Sequence, residues 1–190
     1  MSGLSGVFAF EGDWESNLAD KKSVRPLLET IHRSEGVKFI HRRIGTEAEL
    51  DHYLDKWLQK GYSRYRIGQF AFHGTPGCLW IGSTEIALES LGSKINGRAG
   101  GRIIYFDSCS TVRLGNNRLG NKRIEAFLAT TGADAVIGFT KDVGWIVSAA
   151  FELLVLQAFC ERSTARGVKN WLDSNCPGLV QGLGMKFFSN

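Results

Sequence analysis

Two short stretches decide the fold: Ile67-Gly-Gln-Phe-Ala-Phe-His73-Gly74, and Arg102-Ile-Ile-Tyr-Phe-Asp-Ser-Cys109-Ser110. In each stretch an apolar run of strand length is followed at once by polar residues. A short apolar run that is bounded by polar and turn-forming residues is typical of a buried strand in a parallel sheet. We therefore predict two buried strands, one with the histidine at its carboxyl end and the other with the cysteine.

The two polar ends indicate a shared ligand site. In an open α/β sheet, ligands bind in the crevice at the carboxyl ends of the strands. If the two strands are parallel neighbours, His73 and Cys109 face each other across this crevice, as a thiolate nucleophile and its acid/base partner require. A free cysteine is more often a small buried apolar residue, but the polar residues on both sides of Cys109 favour a reactive thiol. The pattern therefore indicates a cysteine hydrolase.

The alternation of apolar strands and amphipathic helices continues along the chain. Strands are predicted at 7–10, 37–44, 67–72, 102–106, 133–139 and 185–188, with a hairpin at 78–81. Such an order predicts an α/β fold in which a mostly parallel sheet is flanked by helices on both faces. We expect one domain over residues 1–190.

Local signals place several helices. Thr46 and Glu49 form a capping box that opens one helix, and Ser83 or Thr84 is expected to cap the next. The stretch 146–159 is apolar almost all round, which predicts a central helix.

Composition narrows the classes of partner. The 190 residues carry a net charge of +4, and the basic residues are scattered along the chain. This pattern does not indicate nucleic-acid binding. We recognise neither a signal peptide nor an apolar stretch of membrane-spanning length, and so expect a cytoplasmic protein without membrane contact.

The four cysteines, at positions 78, 109, 160 and 176, form neither a CxxC pair nor a zinc-finger set with histidines. We therefore expect no metal, no cofactor and no disulfide framework. In a reducing compartment Cys109 remains a thiol.

The order of the motifs resembles that of the caspase-like cysteine peptidases, a clan that includes caspases, metacaspases, clostripain-like enzymes and CHAT-domain enzymes. In that clan one apolar strand ends in His-Gly, and a second ends in an acidic or small pair before the nucleophilic cysteine. Here the matching segments are 70–74 and 103–110. Asp107-Ser108-Cys109 is most similar to the metacaspase motif, whereas the segment 131–138, followed by Trp145, is more similar to the CHAT pattern.

The resemblance covers roughly residues 66–160 and implies a caspase-like αβα sandwich with a catalytic dyad. Cys109 would attack the substrate carbonyl carbon, and His73 would protonate the leaving amine and then activate water. The backbone N–H groups of Gly74 and Cys109 would bind the oxyanion. No third catalytic residue is recognised. Gln69 departs from the clan because it interrupts the apolar run before His-Gly.

Two acidic residues, Asp107 and Asp142, lie where this clan often builds its first specificity pocket. A carboxylate there would favour Arg or Lys before the scissile bond through charge-assisted hydrogen bonds. The plain alternatives are that Asp107 caps the following backbone N–H groups and that Asp142 is a solvated turn residue. The loop at 115–121 is expected to form a flap after the cysteine. If the pocket prefers Arg or Lys, the basic residues in and around 114–121 make this segment a candidate site of self-cleavage; the plain alternative is that these cations only keep a loop and a helix start in solution.

Other interpretations stay open. A caspase-like module without activity would act through protein contacts. A flavodoxin-like or receiver-like binding domain would share the strand and helix order, although the chain has neither GxxxxGK[ST] nor GxGxxG. A nucleotide hydrolase that uses a glutamate is supported by the α/β pattern alone. The expected partners are a protein or peptide substrate and an activating or regulatory protein. In bacteria such peptidases often accompany signalling or defence modules, a setting that the resemblance leaves open here.

Overall fold

The computed structural model describes residues 3–17, 19–113 and 118–189. The strands in this part of the chain are β1 (Gly6–Glu11), β2 (Lys38–Arg43), β3 (Ile67–Ala71), β4 (His73–Thr75), β5 (Cys78–Ile81), β6 (Thr84–Ala87), β7 (Ile103–Phe106), β8 (Ala135–Phe139) and β9 (Met185–Ser189). The helices are α1 (Arg25–Glu35), α2 (Glu47–Trp57), α3 (Leu88–Ile95), α4 (Arg118–Thr131), α5 (Trp145–Glu161), α6 (Ala165–Asn175) and α7 (Pro177–Leu183), with a 3₁₀ helix at Lys60–Tyr62.

The main sheet has the strand order β2-β1-β3-β7-β8-β9. Its first five strands are parallel, and β9 pairs antiparallel with β8. The strands β4, β5 and β6 form a second, antiparallel sheet. The predicted α/β fold with a mostly parallel sheet is confirmed.

Apolar side chains fill both faces of the main sheet because successive residues of a strand point to opposite faces. Phe8 and Phe10 of β1 pack on the face that is covered by α2, α3 and α4. Val7 and Ala9 pack on the opposite face, which is covered by α1, α5 and α6. Strands that are buried on both faces contain continuous apolar runs, and the two stretches that predict the fold have this character.

Strands β3 and β7 are neighbours in the main sheet. They pair in parallel, and Phe70 lies opposite Phe106. The segments that follow these strands therefore leave the sheet at the same carboxyl edge. This arrangement meets the condition for a crevice shared by His73 and Cys109.

The predicted helix start at Ser83 or Thr84 is wrong. Thr84–Ala87 is strand β6, which pairs with β5, and α3 begins at Leu88. The hydrogen bonds available from β5 decide this outcome, because a short segment takes the conformation that its neighbours can pair with.

Other local predictions have mixed outcomes. The capping box is present, since Thr46 accepts a hydrogen bond from the N–H of Glu49 and Glu49 accepts one from the N–H of Thr46. Helix α5 covers the predicted central stretch, but Ile146 in its first turn is 75% exposed. The predicted flap at 115–121 lies outside the described residues as far as position 117, and the rest of it begins α4. None of the described helices is long and apolar enough to cross a membrane.

Candidate active site

A crevice at the carboxyl end of the parallel strands brings together side chains from separate elements. His73 is the first residue of β4, shortly after β3 ends, and Cys109 lies three residues beyond β7. Both side chains line this crevice. Its walls include the apolar side chains of Val24, Leu27 and Trp145. The structure thus places the predicted nucleophile and its predicted acid/base partner in one cavity.

The backbone carbonyl of Trp14 orients the imidazole of His73. Nε2 of His73 lies 2.8 Å from the carbonyl oxygen of Trp14. Because a carbonyl oxygen can only accept, Nε2 donates its N–H, and the lone pair of the neutral ring lies on Nδ1. The indole of Trp14 also packs edge-on against the imidazole, with 5.6 Å between the ring centroids. The ring of His73 is therefore held in one tautomer, with Nδ1 as the proton acceptor.

A constrained turn carries Cys109. The backbone N–H of Val143 donates to the cysteine sulfur at 3.4 Å. Ser110, the next residue, has a left-handed backbone with φ of 52°, a conformation that costs free energy for a residue other than glycine and is common at active sites. The N–H of Ser110 donates to the carbonyl of Lys141 at 3.0 Å, which ties the turn to the segment after β8.

Gly74 lies so close to this turn that any larger residue would displace the turn. A Cβ atom at position 74 would lie 2.4 Å from the carbonyl oxygen of Cys109 and 2.3 Å from Oγ1 of Thr111. Thr111 is itself held by a hydrogen bond of 2.7 Å between its hydroxyl and that of Ser108. The predicted oxyanion donors, the N–H groups of Gly74 and Cys109, therefore belong to segments in direct contact.

The crevice contains two buried carboxyl groups, Asp107 and Glu152. Gln69, the residue that interrupts the apolar run of β3, donates from Nε2 to Oδ2 of Asp107 at 3.1 Å. Burial raises the pKa of Asp107. Burial and the charge of Asp107 raise the pKa of Glu152 well above its usual range. Two buried carboxyl groups that are so close do not both ionise readily, so the pair retains a proton above the usual pKa of a carboxyl group.

The structure does not bring Asp142 into the crevice. Its carboxylate accepts a hydrogen bond of 2.5 Å from the hydroxyl of Ser110. Asp142 therefore supports the turn that carries Cys109. Asp107, the other predicted specificity residue, does line the crevice. The acidic residue that lies beside it there is Glu152 and not Asp142.

Sequence patterns alone do not indicate Trp14, Val143 or Glu152 as site residues. Trp14 and Val143 contribute a backbone carbonyl and a backbone N–H, which almost any residue would supply. Glu152 does leave a signal in the sequence, because it is an acidic residue in the middle of an apolar helix. An acidic side chain is rarely buried without a partner, so such a position favours a functional or paired carboxyl group.

The rim of the crevice carries opposite charges. Lys22 and Glu15 form an ion pair there. The hydrogen bond and the charge of Lys22 lower the pKa of Glu15. Within the described ranges, no three side chains of His, Cys, Asp or Glu are grouped in a way that could hold a metal ion.

The strand order and the helix layers together define a caspase-like fold. The crystal structure of caspase-1 from Spodoptera frugiperda is similar to this chain, with a TM-score of 0.57 and 14% sequence identity, and the match covers 100% of this chain and 88% of that one. At this identity the likeness concerns the fold alone. The chain belongs to a family of unknown function, DUF6642, whose model matches residues 5–188. No curated protein matches the sequence significantly.

Proposed function

We propose that this protein is a cysteine endopeptidase in which His73 and Cys109 are the catalytic dyad. The observation that carries the proposal is that both side chains line one crevice at the carboxyl ends of neighbouring parallel strands. A thiol beside a histidine with a free Nδ1 lone pair is the combination that nucleophilic acyl transfer uses. The caspase-like fold supports the same class of reaction.

In the acylation step, the thiolate of Cys109 attacks the carbonyl carbon of a peptide bond, and a bond between sulfur and carbon forms. The N–H groups of Gly74 and Cys109 stabilise the oxyanion. His73, protonated at Nδ1, gives this proton to the leaving amine as the C–N bond breaks. The Trp14 carbonyl stabilises the imidazolium by accepting from Nε2, and the N–H of Val143 stabilises negative charge on the sulfur.

In the deacylation step, the neutral imidazole of His73 accepts a proton from water at Nδ1 while the water oxygen attacks the thioester carbon. The bond between that carbon and the sulfur of Cys109 then breaks. The products are a carboxylic acid and the starting enzyme, with its thiolate and its imidazolium. The reaction therefore needs no cofactor and no redox partner.

We further propose that the residue before the scissile bond is Arg or Lys. The apolar walls formed by Val24 and Leu27 suit an aliphatic stem, and the carboxyl groups of Asp107 and Glu152 suit a cationic end. A bound cation would stabilise the ionised forms of both groups and so lower the pKa of each. Asp142 has no part in this pocket because it pairs with Ser110.

Within the caspase-like clan, we propose that the chain is nearest to the CHAT-domain and metacaspase enzymes. The support comes from the motif Asp107-Ser108-Cys109 and from the segment 131–138, which is followed by Trp145. The proposed partners are a protein or peptide substrate and an activating or regulatory protein. A caspase-like module without activity, which acts through protein contacts, is the competing proposal.

The experiment that tests the proposal uses fluorogenic peptides that differ only in the residue before the scissile bond, with Arg, Lys, Asp and Ala compared. We expect cleavage after Arg and Lys. Cys109→Ala should abolish cleavage, and His73→Ala should reduce kcat by about 10³-fold or more. A peptide acyloxymethyl ketone should also label Cys109, as read by mass spectrometry. Wild-type protein that neither cleaves any peptide nor reacts with this electrophile at Cys109 would favour the silent module.

A further inference from the structure

A buried carboxylate, Glu11, anchors the loop that holds His73. Glu11 is the last residue of β1 and has 0% exposure. Its Oε1 accepts hydrogen bonds from the indole N–H of Trp14 and from the backbone N–H of Val24, each at 2.8 Å. Its Oε2 accepts from the hydroxyl of Ser23 at 2.7 Å. We call residues 12–17 and 19–24 the anchored loop. The carboxylate of Glu11 binds this loop near its start, at Trp14, and at its end, at Ser23 and Val24.

Strand β2 completes the surroundings of Glu11. Nε2 of His41 donates to Oε2 of Glu11 at 2.5 Å, and the guanidinium of Arg43 lies 3.8 Å from the same oxygen. Burial alone would raise the pKa of Glu11, but the hydrogen bonds from His41, Ser23, Trp14 and the backbone together lower it below its ordinary value. Glu11 is therefore ionised at neutral pH. Hydrogen bonds to an ionised acceptor are shorter and stronger than neutral ones, and they fix direction as well as distance.

The anchored loop reaches the crevice at several points. Its Trp14 carbonyl accepts from Nε2 of His73. The indole of Trp14 lies between His73 and Trp145, with 5.6 Å and 4.8 Å between the respective ring centroids. Glu15 and Lys22 of the same loop line the crevice. The position of a main-chain carbonyl is only as well defined as the loop that carries it, so the orientation of His73 depends on how firmly this loop is held.

We propose that Glu11 is a positioning residue for the imidazole of His73 and acts through the anchored loop and the Trp14 carbonyl. An apolar anchor would hold the loop without fixing its direction, whereas Glu11 bonds the indole of the very residue whose carbonyl binds His73. The kinetic consequence rests on the proposed peptidase function. The effect on the tautomer of His73 does not.

Three variants separate this role from general stability. Glu11→Ala removes all the acceptor contacts, and Glu11→Gln keeps one acceptor oxygen. Glu49→Ala is the matched control, because Glu49 is also a carboxylate that accepts backbone N–H groups, at Gly45 and Thr46, but it lies at the start of α2.

The kinetic test compares kcat and KM on the peptide that the wild type cleaves best. In Glu11→Ala we expect kcat to fall by about 10- to 100-fold, because a displacement of about 1 Å in a catalytic group has costs of this order. KM should rise by a smaller factor than kcat falls, since the carboxyl groups of the proposed pocket stay in place although the loop that carries the Val24 wall loses its anchor. Glu11→Gln should recover part of the lost kcat, and Glu49→Ala should keep the wild-type value.

A spectroscopic test needs no substrate. Long-range ¹H–¹⁵N spectra show which ring nitrogen of His73 carries the proton in the folded protein. We expect the Nε2–H tautomer in the wild type and in Glu49→Ala, and a mixture of tautomers in Glu11→Ala. If Glu11→Ala does not fold, Ser23→Ala removes a single donor to Glu11 without changing a side chain that contacts His73, and it should shift the tautomer of His73 in the same direction, to a smaller extent.

The outcomes separate the inference from the proposed function. A wild-type His73 spectrum in Glu11→Ala, together with a loss of thermal stability like that of Glu49→Ala, would overturn the positioning role. If the tautomer of His73 is shifted in Glu11→Ala and the wild-type protein itself cleaves no peptide, the positioning role is supported and the peptidase function is contradicted.

Discussion

The main-chain carbonyl of Trp14 lies 2.8 Å from Nε2 of His73, although 59 positions separate the two residues in the chain. In a Ser-His-Asp triad, the third group holds the imidazole in one tautomer and stabilises the imidazolium. A carbonyl oxygen performs both tasks less strongly than a carboxylate, because it bears only a partial negative charge. In the proposed peptidase, a backbone atom would thus complete the dyad that the sequence predicts.

Cys109 is expected to be alkylated faster than Cys78 and Cys160. Burial, followed by the effect of nearby acidic groups, raises the pKa of Cys78 and of Cys160 to about 11. At pH 8 only about one in 10³ of each is therefore thiolate. Brief treatment with iodoacetamide and peptide mass mapping should show modification of Cys109 at least about 10-fold faster. His73→Ala should slow the labelling of Cys109 alone, and equal rates at Cys109 and Cys78 would count against an activated nucleophile.

Gly74→Ala is expected to displace the turn that carries Cys109. The new Cβ would lie 2.4 Å from a backbone oxygen, which cannot swing away as a flexible side chain could. We expect a loss of about 1–3 kcal/mol in the free energy of unfolding, as for other overpacking changes, together with loss of peptidase activity. Urea denaturation measures the first effect. Gly100→Ala is the control, because a Cβ at position 100 meets nothing within 4 Å, and a similar loss in both variants would contradict the steric explanation.

The proposed preference for Arg or Lys should depend on Asp107 and not on Asp142. Asp107→Asn keeps the shape of the crevice but removes a carboxylate, so kcat/KM for a peptide with Arg should fall roughly 10- to 100-fold, the range for hydrogen bonds to charged groups. Asp142→Asn should leave the ratio between Arg and Ala peptides unchanged, because Asp142 contacts Ser110. The assignment fails if Asp142→Asn alters this ratio more than Asp107→Asn does.

Stability should fall as the pH rises through the neutral range, because of Glu152. Burial and the charge of Asp107 raise its pKa well above the ordinary value of 4.5, so the folded state binds more protons than the unfolded state at intermediate pH. The stabilisation from that proton is fully present below the ordinary pKa and is lost as the pH rises through the folded-state pKa. Glu152→Gln, which mimics the protonated form, should therefore flatten the decline in melting temperature between pH 5 and pH 8. A decline of the same slope in both proteins would show that Glu152 does not carry it.

Much of the fold follows from local patterns. β3 and β7 are recognisable because a strand that is covered on both faces must be apolar at nearly every position. The capping box at Thr46 is recognisable because two side chains close to each other in sequence satisfy each other's backbone. β6 is not recognisable in this way, because it becomes a strand only by pairing with β5. The short helix α7 also escapes prediction, since seven residues carry too little periodicity.

By itself, the sequence determined that a histidine and a cysteine would stand at the ends of two buried strands, because side-chain type and apolar spacing are local properties. The tertiary structure alone decided which atoms meet those side chains. It placed the Trp14 carbonyl against His73, the Val143 N–H against Cys109, and Glu152 beside Asp107. Backbone groups are alike in nearly every residue, so no residue type marks the ones that matter. Which backbone group binds a given side chain depends on the distance between them in the folded protein. The strand order and the anchoring of the loops set this distance.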